Sequence, residues 1–385
     1  MGRDDTLNGR RDFLKVTGGA VLTGAVAGCL GSGGDGGGGG GSDGGDGSGG
    51  GSGGDGSSGP LTWDELVSNA QDEGEVNVFA SASGVEPLDA EFKEQYGIEV
   101  KRARQGSKEV ANRIIQGHTA GSQRIDFGAL TSVPFAERMI EEDAVAKPPQ
   151  VVQDELDGVT VWHADMRVAE AFVKKNLLWL HNGDVSNPPT TWEELVSGDY
   201  VVSVNNEDPE MLLVYENTFG QEEAREMIRQ VGEIGTITTS HGSAGKGTAK
   251  GEYDVGLLMH KFMKLPWGGN LFWEPKTYQG EPIPMTATPN YAVVPKNPPN
   301  PHAAWLLFTF LCKNQGTMME ELQDPGDRAS DADGDVPLTR TWYPAKEGHE
   351  TFAEDPNVQL VTWEMGPEIA DRLTVWKDIL GIKSG

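Results

Sequence analysis

The apolar and polar positions between residues 75 and 130 alternate between short apolar runs and longer amphipathic segments. The short runs, which are typical of buried strands, are 76–80, 98–100 and 126–130. Helical spacing occurs at 87–95 and at 109–118, where Val110, Ile114 and Ile115 share one face. Strands that alternate with helices of this length predict βαβ units and a parallel sheet.

A second set of the same kind begins near Leu177. Its predicted strands are 200–204 and 254–259. The segment 188–197 contains a predicted helix start, and a second helix is predicted at 221–231. The stretch from Ser240 to Gly251 is rich in Gly, Ser and Thr, which predicts a turn. Residues 291–295 form a predicted strand that returns to the first set, and a very apolar helix follows at 303–312. The chain is therefore predicted to be α/β twice over, in two lobes.

Two helix starts carry a capping signal. Thr62 is followed three residues later by Glu65, and Thr191 precedes the run Trp192-Glu193-Glu194-Leu195. A Thr at the N-cap with a Glu three residues on satisfies orphan backbone donors at both positions. We expect helices to begin directly after each threonine.

The N-terminal segment has the pattern of an export signal. Arg10 and Arg11 precede Phe-Leu-Lys and a modest apolar run, a pattern typical of a twin-arginine signal. The run is too short to span roughly 30 Å of hydrocarbon as a helix. Ala27 and Gly28 before Cys29 form a lipobox, so residues 1–28 are the predicted signal peptide and Cys29 the predicted site of lipidation.

The segment 29–60 is a predicted linker. From Gly31 to Gly59 it contains only Gly, Ser and Asp, which cannot bury enough apolar surface to become ordered. A Gly-rich coil of this length spans about 30 Å on average. The sequence thus predicts a folded body attached to the outer face of the cytoplasmic membrane, with lobe 1 at 61–172, lobe 2 at 173–288, and a return to lobe 1 with C-terminal helices at 289–385.

The charge is strongly negative. The chain has 59 acidic and 31 basic residues, a formal net charge of −28. Such self-repulsion is tolerable where salt screens it, and the Debye length falls to about 3 Å in molar salt. The composition favours a halophilic, haloarchaeal source and argues against a nucleic-acid partner.

Cysteine usage is simple. With Cys29 lipidated, Cys312 has no partner and lies within the apolar run 303–312. A free cysteine in such a run behaves as a small hydrophobic residue. The sequence predicts no disulfide framework and no Cys/His metal cluster.

The order of the segments resembles a known family. The segments that carry the resemblance are 76–83, 92–100, 106–107, 126–129, 188–195, 250–257 and 295–304. Together with the export signal, lipid Cys and linker, they resemble the extracellular solute-binding proteins of ABC importers, in the branch of the ferric-ion-binding proteins. The resemblance covers nearly all of residues 75–325. It implies a two-lobed periplasmic-binding-protein-like (type II) α/β fold, in which each lobe is a doubly wound mixed sheet and the ligand cleft lies between the lobes.

In doubly wound sheets, ligands bind beyond the carboxyl ends of the strands. The residues expected there in lobe 1 are Ser81, Ala82, Ser83, Gly106, Ser107, Thr131 and Ser132. They offer hydroxyls, backbone N–H groups and helix N-termini, which favour anions. Each hydroxyl taken alone also suits a helix cap or a turn, but their recurrence at three successive strand ends favours binding.

The residues expected from lobe 2 are Asn206, Ser243, His260 and Lys261. At the positions of residues 259–262, the relatives that bind ferric iron have a sequence similar to Asn-His-Tyr-Tyr. The resemblance implies that the two adjacent tyrosines of those relatives bind the metal. In this chain Lys261 and Phe262 occupy the tyrosine positions, which argues against bare iron held by a tyrosine pair. A lysine suits an anionic or phosphate-bearing ligand, although it also suits a solvated rim.

Other motifs carry less weight. Residues 331–335 are similar to a calcium loop but lack its downstream glutamate, and residues 241–248 lack the spacing of a P-loop. Trp162, Trp179 and other tryptophans suit either ligand stacking or the core.

The sequence therefore predicts a monomeric, non-enzymatic solute-binding lipoprotein without a cofactor, which delivers a small ligand to an ABC permease. The predicted ligand is an iron(III) species or an anionic, phosphate-type solute. The alternatives are a tethered surface hydrolase and a ligand-sensing module without a transporter.

Overall fold

The structure is a computed structural model that describes residues 60–81, 86–206, 209–238, 241–260, 271–272, 276–314 and 358–382. Several predicted features lie outside these residues: the export signal, Cys29, the linker, Ala82, Ser83, Lys261 and the loop at 331–335. The α-helices are α1 (Trp63–Glu73), α2 (Glu86–Tyr96), α3 (Ser107–Thr119), α4 (Val133–Glu141), α5 (Gln150–Glu155), α6 (Trp192–Ser197), α7 (Glu210–Phe219), α8 (Gln221–Ile234), α9 (His241–Ala249), α10 (Pro301–Lys313) and α11 (Gly366–Ile379).

Most strands belong to one mixed sheet of 11 strands. The strands are β1 (Glu75–Ala80), β2 (Glu99–Arg104), β3 (Phe127–Leu130), β4 (Trp162–His163), β5 (Val168–Asn182), β6 (Val202–Asn205), β7 (Gly235–Thr238), β8 (Val255–His260), β9 (Leu271–Phe272), β10 (Thr277–Tyr278), β11 (Glu281–Pro282), β12 (Met285–Val293) and β13 (Val358–Leu360). The main path is β2-β1-β3-β12-β5-β8-β6-β7, while β4 and β9 pair with β5, and β13 pairs with β12. β10 and β11 form a separate hairpin.

Both capping predictions are confirmed. Thr62 caps α1 and Thr191 caps α6, and each forms the reciprocal bonds of a capping box with the glutamate three residues on. Gly74 ends α1 with a φ of 70°, a conformation that costs glycine little.

The two ends of the sheet repeat one topology. In the first half, β1 lies between β2 and β3, and in the second half β6 lies between β7 and β8; all four of these pairings are parallel. In each half, the first of the three strands in chain order lies between the other two. The third strand in chain order, β3 or β8, lies next to the long strands at the middle of the sheet. This arrangement confirms the prediction that the chain is α/β twice.

An aspartate precedes the inner strand of each half. The Asp126 N–H donates to the Asn77 carbonyl at 2.9 Å, and its carboxylate accepts the Asn77 N–H at 2.7 Å. Asp254 makes the same pair of bonds with Val201, at 2.8 Å each. The motif Asp-apolar-Gly-apolar thus occupies equivalent places in the two halves.

Two long antiparallel strands join the halves. β12 pairs with β3 at Tyr291 and Leu130, and β5 pairs with β8 at Asn176 and His260. β5 and β12 also pair with each other. Of this region, only residues 291–295 are predicted to form a strand, and Pro284 and Pro289 argue against a longer one.

Each half has its own apolar core. Buried residues of β1, β3, α1–α5 and α10 form the core of the first half, and those of β6, β8, α6–α8 and α11 form most of the second. The apolar helix α10 is buried along 303–312, including Cys312, as predicted. Burial raises the pKa of the Cys312 thiol strongly, which keeps it neutral.

The predicted turn from Ser240 to Gly251 is wrong, because α9 spans most of it. The glycines allow this helix to pack closely: a Cβ at Gly247 would lie 2.4 Å from the Tyr253 ring. Ala244, Gly245, Gly247 and Thr248 are buried. Tertiary packing therefore outweighs the low helix propensity of glycine.

No helix within the described ranges is long and apolar enough to cross a membrane.

Candidate functional site

Ser81 directly follows β1, at the edge of the sheet that the carboxyl ends of its parallel strands form. Its N–H donates to the Ala129 carbonyl of β3 at 2.8 Å, which continues the sheet one residue beyond β1. Its Oγ is inaccessible to water and has no hydrogen-bond partner among the described residues. A buried hydroxyl without a partner costs free energy, so the end of β1 carries an unsatisfied polar group.

Ser107 and Thr131 come together at the neighbouring strand ends. Ser107 is the first residue of α3, and its Oγ accepts the Thr131 N–H at 3.3 Å and lies 3.5 Å from the Thr131 Oγ1. Both side chains are half-buried. Both residues were predicted to belong to the ligand site, and the structure brings them together.

Two helix N-termini open at this edge. Gly106 is the N-cap of α3 and Ser132 the N-cap of α4, and neither helix receives a side-chain cap hydrogen bond within the described structure. The first backbone N–H groups of a helix carry a partial positive charge and bind anions. This edge therefore provides hydroxyl and N–H donors suited to oxyanions.

A carboxylate lies beside one of these N-termini. The exposed Glu109 side chain folds back towards Gly106, so that a Cβ at Gly106 would lie 2.5 Å from the Glu109 Oε2. Acidic residues in a first helical turn are stabilised by the helix dipole. Glu109 therefore competes with any bound anion for the N-terminus of α3.

The crossover strand β12 contributes polar residues that the sequence analysis missed. Asn290 is fully buried, and its Oδ1 and Nδ2 both lack partners in the described part of the chain; the same holds for the Thr286 Oγ1. In the antiparallel pairing of β3 with β12, Leu130 is opposite Tyr291. The next residues in this register are Thr131 and Asn290, so these two residues lie side by side. Thr286 pairs with Asn176 of β5, and Asn176 pairs on its other side with His260 of β8. The two residues therefore lie near the strand ends of the first and second half, respectively.

Only one signal in the sequence would have identified these residues. Thr286, Thr288 and Asn290 are polar residues at alternate positions of a segment that ends in Tyr-Ala-Val-Val. Alternation of this kind is typical of a strand with one polar face, but Pro289 and Pro284 argue against a central strand.

The strand ends of the second half are held by a buried cluster. The Asn205 Nδ2 donates to the Leu258 carbonyl at 3.0 Å and lies 2.9 Å from the His241 Nε2. Because the amide nitrogen is a donor, the His241 Nε2 accepts, which leaves the ring proton on Nδ1. Leu258 has a φ of 58°, a strained conformation for a leucine.

The other residues predicted for the second half lie around this cluster. Asn206 directly follows β6, and its carbonyl accepts the Trp376 Nε1–H at 3.1 Å. His260 is the last residue of β8. Ser243 lies in the first turn of α9, where it is exposed, rather than in the predicted loop.

A buried carboxylate lies nearby. Glu210 opens α7, is 6% exposed, and its Oε1 is 3.5 Å from the Thr288 Oγ1 of β12. It was not predicted as a site residue, because an isolated glutamate has no distinguishing pattern in the sequence.

The tryptophans and the segment 241–248 that stand out in the sequence have structural contacts. Trp179 is a core residue, 1% exposed, with its Nε1–H bonded to the Pro189 carbonyl at 3.1 Å, and Trp162 stacks on Phe308 with 5.6 Å between ring centroids. The segment 241–248 is helical rather than a phosphate loop. Among the residues described, no group of three or more His, Cys, Asp or Glu is arranged to hold a metal.

Solved structures share this fold. Iron-bound HitA from Pseudomonas aeruginosa is 17% identical, with a TM-score of 0.56 over 79% of this chain and 99% of that one. The substrate-binding protein of an ABC transporter from Agrobacterium tumefaciens is 12% identical, with a TM-score of 0.60 over 80% and 95%. AfuA from Actinobacillus pleuropneumoniae, solved with fructose 6-phosphate bound, is 13% identical, with a TM-score of 0.57 over 80% and 99%. These similarities confirm the predicted type II periplasmic-binding-protein fold.

The search of curated proteins gave no significant match. The family model of the bacterial extracellular solute-binding proteins, in contrast, matches residues 80–318, which include both candidate strand-end clusters. The chain therefore belongs to the bacterial extracellular solute-binding proteins.

Proposed function

We propose that this protein is the solute-binding component of an ABC import system and that it captures a small anionic, phosphate-type solute between its two halves. The observation that carries the proposal is the contact of Ser107 with Thr131 at the open N-termini of α3 and α4. The unpartnered hydroxyl of Ser81 at the neighbouring strand end supports it.

An oxyanion needs several hydrogen-bond donors, and hydrogen bonds to charged groups are roughly twice as strong as neutral ones. Serine and threonine hydroxyls turn to donate, and helix N–H groups cost no reorganisation because the backbone already holds them in place. Asn290 and Thr286 would bind the uncharged polar part of the same solute.

Lys261 would complete the site from the second half. Its position follows from the sequence alone, directly after β8. An ammonium group there would neutralise the anion as the halves close on it by a hinge motion.

An iron(III) species is the second candidate, and Glu210 is the observation that favours it. A buried carboxylate repels a free anion but provides an oxygen ligand for a metal ion. HitA and the Trichodesmium protein solved with iron and citrate carry iron in the same fold. For this chain the corresponding ligand would be an anionic iron complex, since Lys261 and Phe262 replace the tyrosine pair.

Attachment and export follow from the N-terminus. Arg10 and Arg11 would direct export by the twin-arginine route, Cys29 would carry the lipid, and the linker would hold the protein near its permease on the outer face of the membrane. A monomer without a cofactor is sufficient for capture and delivery. A hydrolase is disfavoured because the family is one of solute-binding proteins. A ligand sensor would differ in having no permease partner, which copurification from membranes distinguishes.

The experiment is a binding screen in high salt with inorganic phosphate, fructose 6-phosphate, ferric citrate and spermidine, read by thermal shift and then by calorimetry. Ser107→Ala should weaken the anion that binds by about tenfold to a hundredfold, since a charge-assisted hydrogen bond contributes about 1.5–3 kcal/mol. Ser122→Ala, an exposed serine just beyond the other end of α3, is the matched control and should change nothing. Equal affinity of the Ser107→Ala variant and the wild type would reject this site.

Two further variants separate the candidates. Lys261→Ala should weaken a phosphate-type anion about tenfold to a hundredfold, by the same hydrogen-bond argument, whereas Lys261→Tyr should improve the binding of bare ferric iron. Glu210→Gln should weaken ferric citrate but strengthen a free anion. If none of the four probes binds the wild type, the proposal of an anionic solute is wrong.

A further inference from the structure

The segment 358–382 near the C-terminus contacts both halves of the sheet. β13 pairs with β12 at residues 285–287, and the Val361 N–H donates to the Ala287 carbonyl at 2.8 Å. Trp363 then stacks on the His163 ring of the first half, with 4.9 Å between centroids. The segment is therefore anchored on the crossover strand and on the first half before α11 begins.

α11 continues from the first half into the second. At its start, a Cβ on Gly366 would lie 2.6 Å from the Val133 Cγ1 of α4, so the two helices touch there. Further along, Ile369, Trp376 and Leu380 are buried in the core of the second half. One rigid helix thus connects α4, whose N-terminus lies in the proposed site, with the second half.

Trp376 makes the contact that concerns the site. Its side chain is fully buried, and its Nε1–H donates to the Asn206 carbonyl at 3.1 Å. Asn206 directly follows β6, at the strand end where Asn205 contacts His241 and Leu258. The indole therefore fixes the backbone where the chain leaves the sheet.

A buried ion-pair cluster fixes α11 to the next helix. The Glu216 carboxylate of α7 is 4% exposed; it accepts the Arg372 Nε–H of α11 at 3.0 Å and the Arg225 Nε–H of α8 at 2.7 Å. α7 begins four residues after Asn206. α11 thus holds the chain on both sides of the connection between β6 and α7.

We propose that Trp376 is a positioning residue for ligand binding: through its bond to the Asn206 carbonyl, α11 holds the backbone at the end of β6 in the position that receives the solute. Trp376 acts through Asn206 and does not itself touch the ligand. The part that concerns ligand affinity rests on the proposed function, whereas the part that concerns the backbone does not.

The test compares Trp376→Phe with Trp179→Phe. Both remove a buried indole N–H that bonds a backbone carbonyl at 3.1 Å in the same half, but the acceptor of Trp179 is Pro189, away from the strand ends. Hydrogen exchange of the ligand-free proteins, measured on the peptide from the end of β6 to the start of α7, should be about threefold to tenfold faster in Trp376→Phe only. Affinity for fructose 6-phosphate should fall by a similar factor in that variant and not in the control.

A second variant separates the loss of the hydrogen bond from the loss of side-chain volume in Trp376→Phe. Benzothienylalanine at position 376 keeps the size of the indole and removes only the N–H, so it should reproduce the exchange and affinity changes of Trp376→Phe. Unchanged exchange at the β6–α7 connection, or an equal increase in Trp179→Phe, would overturn the proposal. If the wild type does not bind fructose 6-phosphate, that result counts against the proposed function, and the exchange data alone decide the role of Trp376.

Discussion

At the scale of single residues, one buried carboxylate organises the first half. The fully buried Asp126 accepts the backbone and side-chain N–H groups of Asn77 at 2.7 and 2.9 Å, and those of Asn300 at 2.7 and 2.9 Å. Asn300 is the N-cap of α10, the helix that fills this core. Asp126 therefore ties β1, β3 and α10 together, whereas the equivalent Asp254 is only half-buried and accepts the Val201 N–H.

This difference predicts unequal costs for the same substitution. Asp126→Asn places an NH2 group against donors and should lower the free energy of unfolding by about 1.5–3 kcal/mol, since hydrogen bonds to a charged group are lost in a buried place. Asp254→Asn should cost clearly less. Denaturant unfolding of both variants checks this, and equal costs would show that the Asn300 bonds add nothing.

At the scale of elements, helix packing and helix ends decide what the local sequence leaves open. α9 forms from a glycine-rich segment because its small residues fit against Tyr253 and the sheet. The start of α3, in contrast, follows from the local sequence. The Glu109 carboxylate beside Gly106 adds a negative charge at this N-terminus, which opposes the binding of an anion. Electrostatics near a helix end is therefore as important as the end itself.

Glu109→Gln should strengthen the binding of an anionic solute. Removal of one negative charge several ångströms from a bound anion should improve affinity about threefold to tenfold at an effective dielectric between protein and water. Glu94→Gln, on an exposed position of α2, gives the same change in net charge and should leave affinity unchanged. Calorimetry with the probe that binds the wild type decides, and equal affinities in the two variants would exclude an anion near α3.

At the scale of the whole molecule, the net charge of −28 opposes folding through self-repulsion. The Debye length shrinks from about 30 Å at 0.01 M salt to about 3 Å at 1 M. The melting temperature should therefore rise steeply over this range, and each kcal/mol gained corresponds to roughly 2–4 °C in a domain of 150–250 residues. Thermal unfolding in a sodium chloride series measures the effect; sucrose, which strengthens burial without screening charge, is the control. A melting temperature that does not depend on salt would contradict the prediction.

Attachment is the second property of the whole molecule. Cys29→Ser should release a folded protein into the medium, because the lipid has no other site in the predicted signal. Arg10→Lys together with Arg11→Lys should instead leave precursor in the cytoplasm. Fractionation after a high-salt wash distinguishes the two results. Retention of the Cys29→Ser variant in the membrane fraction would mean that Cys29 is not the anchor.

The sequence by itself determined the local elements and the order of the chain. Short-range patterns predict the strands β1 and β3, the capped starts of α1 and α6, and the apolar helix α10. Each of these elements depends on side chains that are only a few residues apart. Ser107 and Thr131 could be assigned to one edge because the carboxyl ends of parallel strands meet there.

Only the tertiary structure decided what depends on distant segments. The pairing of β5 with β12 joins residues more than 100 positions apart. In the sheet that results, Asn290 and Thr286 are buried without side-chain partners among the described residues. The bond of Trp376 to Asn206 spans 170 positions, and nothing in the local sequence of either residue indicates it. Local patterns record which face of an element is buried, whereas the identity of the partner is set by packing and hydrogen bonding across the whole chain.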